Sequence, residues 1–187
     1  MSHKPNYTGQ QKGVTPVEML TTLAIACILA AVAMPSLSAL VSDMRERSVA
    51  GALFTSLHRA RNEAIHRNAR VVICKSSTGL GCASKGGWHQ GWIIFHDVNN
   101  NATLDAGETL IHTELLSPGN VSLTNNGRVE GYVSFTGEGL PRSVRLYILD
   151  ETFTVCRQSV TQVTARQIKL SGPGNIRSVK SVVANCS

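Results

Sequence analysis

From Met19 to Ser42, 24 residues of this 187-residue chain pass without a charged side chain. That gap excludes an ordinary solvated surface segment. A helix of this length, at about 1.5 Å per residue, is enough to cross a hydrocarbon core of roughly 30 Å. Acidic residues are missing from the other end: none follows Glu151, although Arg157, Arg166, Lys169, Arg177 and Lys180 do. A one-signed tail favours an anionic partner such as nucleic acid, while a charge of this size also serves solubility. No CxxC pair or Cys/His spacing is present to suggest zinc, and no nucleophile motif organises the serines, histidines and aspartates. Zinc-site and enzymatic readings therefore fall away. Neither an internal repeat nor a low-complexity linker divides the chain.

What is present falls into two unlike parts. The first is the apolar run. From Ser42 onward, 16 Lys and Arg stand against 11 Asp and Glu, and the sequence mixes polar and apolar residues like a soluble domain. Of five cysteines, Cys27 lies in the apolar run. The other four allow three pairings, of which proximity favours Cys74 with Cys82 and Cys156 with Cys186. Closing both contributes about 2.5 and about 3.5 kcal/mol in the chain-entropy picture, and points to an oxidising compartment.

The N-terminal stretch "QKGVTPVEMLTTLAIACILAAVAMPSLSALVSD" admits three readings. A secretory signal would use Val14 to Ala30 as its apolar part and "AVA" (Ala31 to Ala33) as its cleavage site. Against this, and against a plain one-pass anchor, stands Glu18, a carboxylate costing about 3 kcal/mol to insert with no opposite charge inside the run to neutralise it. The third reading rests on a polar leader with Lys4 and Lys12, then "QKG", then Glu18 five residues beyond Gly13, then an unbroken apolar helix. This pattern resembles the type IV prepilin signal. The resemblance implies that a prepilin peptidase cuts after Gly13 and that the new terminus, Val14, is methylated. Glu18 would meet the positive N-terminus of a neighbouring subunit during assembly, where charge neutralisation in a low dielectric would set register. Val14 stands where the family usually has Phe, and Pro16 where it usually has an aliphatic residue. Proline is tolerated in a first helical turn, where its missing donor has no partner to lose. Pro35, 22 residues beyond Gly13, stands where pilin-like helices commonly carry a bending proline.

Beyond the apolar run, Val49, Leu53, Leu57, Ala60 and Ala64 recur at helical steps, with Arg59, Arg61, Glu63 and Arg67 between them. The helix is expected to continue amphipathically and to cover a sheet with one face. After about Asn68 the pattern shortens to strands: 70–75, 91–97, 109–115, 121–124, 131–135, 143–149, 153–157 and 164–170. The expected organisation is a leader over 1–13, a transmembrane and assembly helix over 14–42, its amphipathic continuation over 43–68, and a periplasmic antiparallel β domain over 69–187. The fold class is α+β.

The order "RNEAIHRNARVVICKS", then "GWIIFHDVNNNATLDAGE", then a late "FTVCR", is similar to the FimT/GspH-type minor pilins and pseudopilins. The resemblance implies a long helix against two small antiparallel sheets. It also implies a protein of the bacterial inner membrane that assembles with other pilin subunits, in a type IV pilus or a type II secretion pseudopilus. FimT-type members have been linked to DNA uptake in natural transformation.

Two stretches carry candidate chemistry. In "DVNNNATLDAGE", Asp97, Asn99, Asn101, Thr103, Asp105 and Glu108 occupy positions 1, 3, 5, 7, 9 and 12 of the EF-hand spacing, with Ala102 where the sharp-turn glycine belongs. Weak calcium binding is one reading and a turn-rich hairpin loop the other; no other cofactor is expected. In "TARQIKLSGPGNIRSVKS", Gly174, Asn175, Ile176 and Arg177 align with the Gly-Arg-x-Arg motif of DNA-binding FimT-type proteins, with Asn175 in place of the first arginine. Arg166, Lys169, Arg177, Lys180 and also Arg157 are the candidate contacts to DNA phosphates. The plainer reading is a solvated basic hairpin held by Cys186. Trp88 and Trp92 are expected to pack at a sheet edge, with base stacking as the functional alternative. His58 and His66 read as surface residues, and His89, His96 and His112 form no ligand spacing.

Overall fold

The computed structural model describes residues 13–117, 119–127, 131–143, 150–157, 163–184 and 186; of 34–36, 38, 39 and 163 only the backbone is described. The expected strand over 143–149 lies outside these residues from 144 on, as do residues 1–12 of the leader. The described chain falls into two units, one up to Leu40 and one from Val41 onward.

One helix, α1 (Pro16–Arg67), opens with local chemistry written in "TPVE". Thr15 is the N-cap and Pro16 the first helical residue. The Glu18 backbone N–H donates to the Thr15 hydroxyl at 3.3 Å, while the Thr15 N–H donates to the Glu18 carboxylate at 2.8 Å. This reciprocal pair is a capping box. In the apolar stretch, the hydroxyls of Thr21 and Thr22 donate to the carbonyls of Glu18 and Met19, which satisfies them without water. The helix window Pro16–Ala33 is long and apolar enough to span a membrane. Its other end closes on Asn68, in the left-handed region at φ 47°. The N–H groups of Asn68 and Ala69 donate back to the carbonyls of Ile65 and Ala64, the Schellman pattern that stops a helix.

The unit from Val41 holds the C-terminal part of α1 and two antiparallel sheets. The first has the order β3-β2-β1-β5-β6, from β1 (Val71–Lys75), β2 (Gly91–His96), β3 (Leu110–Leu115), β5 (Tyr132–Phe135) and β6 (Pro141–Arg142). The second runs β4-β7-β8-β9, from β4 (Val121–Asn125), β7 (Glu151–Arg157), β8 (Val163–Ser171) and β9 (Asn175–Val183). The expected strands within the described residues are present to within a residue or two. Two strands lie beyond those expected from the sequence: β6, only two residues long, and β9, which forms the C-terminal hairpin with β8. In "NIRSVKSVV" Ile176, Val179 and Val182 fall every third residue and do not alternate, and β9 is an edge strand with one buried side chain, Ile176.

Helical spacing places Ala50, Leu53, Leu57, Ala60 and Ala64 on one buried stripe. The stripe meets Val71 and Ile73 of β1, Trp92 and Ile94 of β2, and Phe153 and Ile168 of the second sheet in one core. Each large side chain buried here contributes about 1.5–3 kcal/mol. The first sheet is covered on its other face too, where Val72, Cys74, Ile93 and Phe95 pack with Ala102. Burial on both faces explains why "VVIC" and "WIIF" run apolar without alternation. Both proximity pairings of cysteines are formed, Cys74–Cys82 and Cys156–Cys186, with Cα separations of 5.5 and 6.0 Å.

Candidate functional site

The three stretches singled out in the sequence fare differently. Glu18 is not without a partner: besides the Thr15 N–H, the Thr15 hydroxyl donates to the same carboxylate oxygen at 2.9 Å. Thr15 and Glu18 stand at capping-box spacing in the sequence, a local signal independent of the membrane. These are hydrogen bonds and not a counter-charge, so the carboxylate keeps its charge available. Gly13 and Val14 precede the helix and are exposed.

The loop between β2 and β3 turns its oxygens inward. Asp97, buried, accepts the N–H groups of Asn101 (3.1 Å) and Ala102 (3.0 Å), and its Oδ2 lies 3.4 Å from Arg70 Nε. The side-chain amides of Asn99 and Asn101 both donate to Asp105, at 2.8 and 2.7 Å, and hold its carboxyl below the usual range. Glu108 accepts the N–H groups of Val98 and Asp105. Thr103 donates its N–H to Asn101. Among the described residues, no three His, Cys, Asp or Glu side chains converge in a way that suits a metal ion. The loop also packs against the sheet. Ala102, at φ 59°, and Leu104 lie over Val72 and Phe95, closing the outer face of the first sheet.

The basic residues do not form one patch. In the β8–β9 register, Arg166 is opposite Lys180 and Lys169 opposite Arg177. Directly opposed residues share a face, and 166 and 169 differ in parity, so the two pairs lie on opposite faces of the sheet. Arg166 shares its face with Ile168 and Leu170, towards the core, where its Nε lies 3.7 Å from Glu46 Oε1 of α1. Burial raises the Glu46 carboxyl above its usual range, and Arg166 opposes that shift. Lys169 and Arg177 stand on the outer face, and among the described residues neither makes an ion pair. Like charges directly opposed in a sheet destabilise it by about 0.2–1 kcal/mol unless an anion intervenes. Between the strands, the Ser171–Gly174 turn is fixed: Gly172 N–H donates to Asp150 at 2.7 Å, and Gly174, at φ 81°, lies so near the Gly139 carbonyl that a Cβ would meet it at 2.5 Å. Gly174 thus has a structural reason to be glycine, and Arg177 is left exposed.

The tryptophans are core residues and not edge residues. Trp92 is fully buried, and Trp88 packs edge-on against Phe153 with ring centroids 5.1 Å apart, joining β7 to the 3₁₀ turn Trp88–Gln90. Neither offers a face to a base. His66 is exposed, and His58 packs edge-on against Phe54. His112 links α1 to β3: Arg59 donates to its Nδ1 at 2.9 Å, which leaves Nε2–H to face Glu114 at 3.3 Å.

Comparison with known proteins agrees with this architecture. A family model described as type II transport protein GspH matches residues 49–174. The pilin-like protein PilA1 of Thermus thermophilus is 37% identical over 100 residues, 52% of this chain. The match spans about half the length of that relative, 56%. The fold is similar to that of the Pseudomonas aeruginosa type IV minor pilin FimU (TM-score 0.57, 18% identity, covering 79% of this chain and 99% of that one). It is also similar to that of the minor pseudopilin EpsH from the type 2 secretion system of Vibrio cholerae (TM-score 0.50, 9% identity, covering 72% and 96%). With its amphipathic helix and most of both sheets inside the family model, this chain belongs to the GspH family of minor pilins and pseudopilins.

Proposed function

We propose that this chain is a minor pilin of a type IV pilus. It would be anchored in the bacterial inner membrane by its N-terminal helix, cut by a prepilin peptidase after Gly13 and methylated at Val14. Assembly would then join it to other pilin subunits, with Glu18 meeting the charged terminus of a neighbour. The apolar, charge-free helix beyond Glu18 and the likeness to FimU support this reading.

The binding role proposed for the β domain is capture of the DNA backbone for natural transformation. The observation that carries it is the opposed pair Lys169 and Arg177, two cations on one outer face without an acidic partner among the described residues. Phosphate contacts require charge and reach, and this pair supplies both where Arg166, engaged by Glu46, does not. The test is a titration of the full chain, in a neutral detergent, with short duplex DNA at several salt concentrations. Wild type should bind with an affinity that falls as salt rises, and a Lys169→Gln/Arg177→Gln variant should bind more weakly with a shallower salt slope. No binding at low salt would remove the DNA role.

A second reading, a type II secretion pseudopilin that contacts only sibling subunits, is favoured by the GspH model match and the likeness to EpsH. It predicts no DNA binding, and incorporation into a secretion pseudopilus.

A further inference from the structure

Where α1 leaves its charge-free run, the unit from Val41 gathers cations. Arg45 Nη1 lies so near Gly119 that a Cβ there would meet it at 2.9 Å. Two residues on, Val121 opens β4 and stands opposite Arg157 at the end of β7. Arg157 and Arg47 both act on the Glu46 carboxylate, which lies 3.7 Å from Arg166 of β8. Lys180 of β9 is the residue directly opposite Arg166. One turn of helix and parts of three strands thus bring five cations around two acids, Asp43 and Glu46.

Both acids are taken. Asp43 pairs with Arg47 at 2.7 Å, and Glu46, buried, answers Arg166. Arg45, Arg157 and Lys180 are exposed and make no ion pair among the described residues. Like charges gathered this way repel, and an anion relieves them. Their place along the chain favours one kind of anion. At about 1.5 Å per residue, the 24 charge-free residues from Met19 to Ser42 measure about 36 Å, enough for a hydrocarbon core of about 30 Å and one headgroup layer of about 6 Å. The helix runs on without a break, so Asp43 to Arg47 begin where that layer ends. The exposed apolar side chains of Val41 and Met44 suit such a boundary. Within a Debye length of about 8 Å, anionic headgroups attract arginine and lysine.

We propose that Arg45, Arg157 and Lys180 form a docking surface for the headgroups of anionic phospholipids in the membrane that holds α1, an assignment that rests on the reading of α1 as a membrane anchor. The test is a titration of the full chain in neutral detergent with phosphatidylglycerol and with phosphatidylcholine of the same acyl chains, bound lipid being counted by native mass spectrometry. Phosphatidylglycerol should bind more tightly. Arg45→Gln, Arg157→Gln and Lys180→Gln should each weaken it about fivefold and leave phosphatidylcholine unchanged. All three side chains are exposed, so these variants are expected to fold. Lys169→Gln/Arg177→Gln should keep the wild-type lipid preference, which separates this surface from the DNA contact. The proposal is overturned if the two lipids bind alike or if the three variants keep the wild-type preference. It is also overturned if glycerol phosphate displaces the lipid at equal concentration, which would make the ligand a free phosphate ester. The same holds if the three variants weaken duplex DNA binding more than lipid binding, which would make this a nucleic-acid contact. Vesicles of pure phosphatidylcholine decide the anchor separately. A chain washed off them by alkaline carbonate has no anchor, and this assignment falls with that reading. A chain that stays on them yet shows no lipid preference overturns this surface alone.

Discussion

The Glu18 carboxylate accepts two hydrogen bonds from Thr15, one from its backbone N–H at 2.8 Å and one from its hydroxyl at 2.9 Å. The residue that makes the helix costly to insert is therefore also the residue that starts it. An acid in the first turn faces the positive end of the helix dipole, which adds to the same preference. In the proposed fibre, a neighbour's terminal amine would approach a carboxylate already fixed in orientation.

Replacing Thr15 by Ala should loosen that start. The first-turn amides of α1 are expected to exchange hydrogen about fivefold faster, the factor for a lost N-cap. Hydrogen exchange on the full chain in detergent reads this directly, and unchanged exchange would show that the capping box contributes nothing.

Leu57 sits at 0% exposure where the helix stripe meets both sheets. Leu57→Ala should cost about 2–5 kcal/mol in denaturant unfolding, through lost transfer energy and the cavity left behind. Leu80, 83% exposed in the Cys74–Cys82 loop, is the control. Leu80→Ala should stay within about 0.5 kcal/mol, and equal losses at both positions would contradict the core described.

Asp97 is the counter-charge of buried Arg70. Asp97→Asn should destabilise by about 3 kcal/mol, because it leaves a guanidinium buried and unpaired. Since the carboxylates of its loop are engaged by the loop's own amides, added calcium should not raise the melting temperature of the wild type. A rise that chelator reverses would support the EF-hand reading of Asp97 to Glu108.

Two carboxyls give stability opposite pH slopes. Glu46, raised by burial, holds its proton more tightly when folded. Its contribution is present below the unfolded Glu value and is lost as pH rises through the ordinary range to the raised folded value. Asp105, lowered by Asn99 and Asn101, contributes above the ordinary Asp range, and that contribution is lost as pH falls through its lowered value. Subtracting the unfolding curve of Glu46→Gln from wild type should leave a term that declines from acid towards neutral pH. Subtracting that of Asp105→Asn should leave a small term of opposite slope, reduced by solvent screening. Parallel curves for Glu46→Gln and wild type would contradict its burial.

The fold was legible because its signals are local. The stripe from Leu53 to Ala64, the apolar runs of β1 and β2 and the Cys74–Cys82 pair each reflect one short stretch. The sites were less so, because their meaning depends on register. That Arg166 and Lys169 face opposite ways follows from their parity on one strand, but which residue each opposes depends on β9, whose Ile176, Val179 and Val182 recur every third residue and do not alternate as a strand's would. The loop from Asp97 to Glu108 has ligand-like spacing, yet spacing does not say whether oxygens point at an ion or at the loop's own N–H groups. Arg70 drew no notice, since a single arginine before a strand gives no sign that the fold will bury it.

The central claim is that the N-terminal helix is a processed assembly element. The most direct measurement is the intact mass and N-terminal sequence of the protein recovered from membranes of a host with a prepilin peptidase. The account predicts a chain that begins at Val14 and carries one added methyl group. A chain that retains Met1, or one cut after Ala33 as a secretory signal would be, would contradict it.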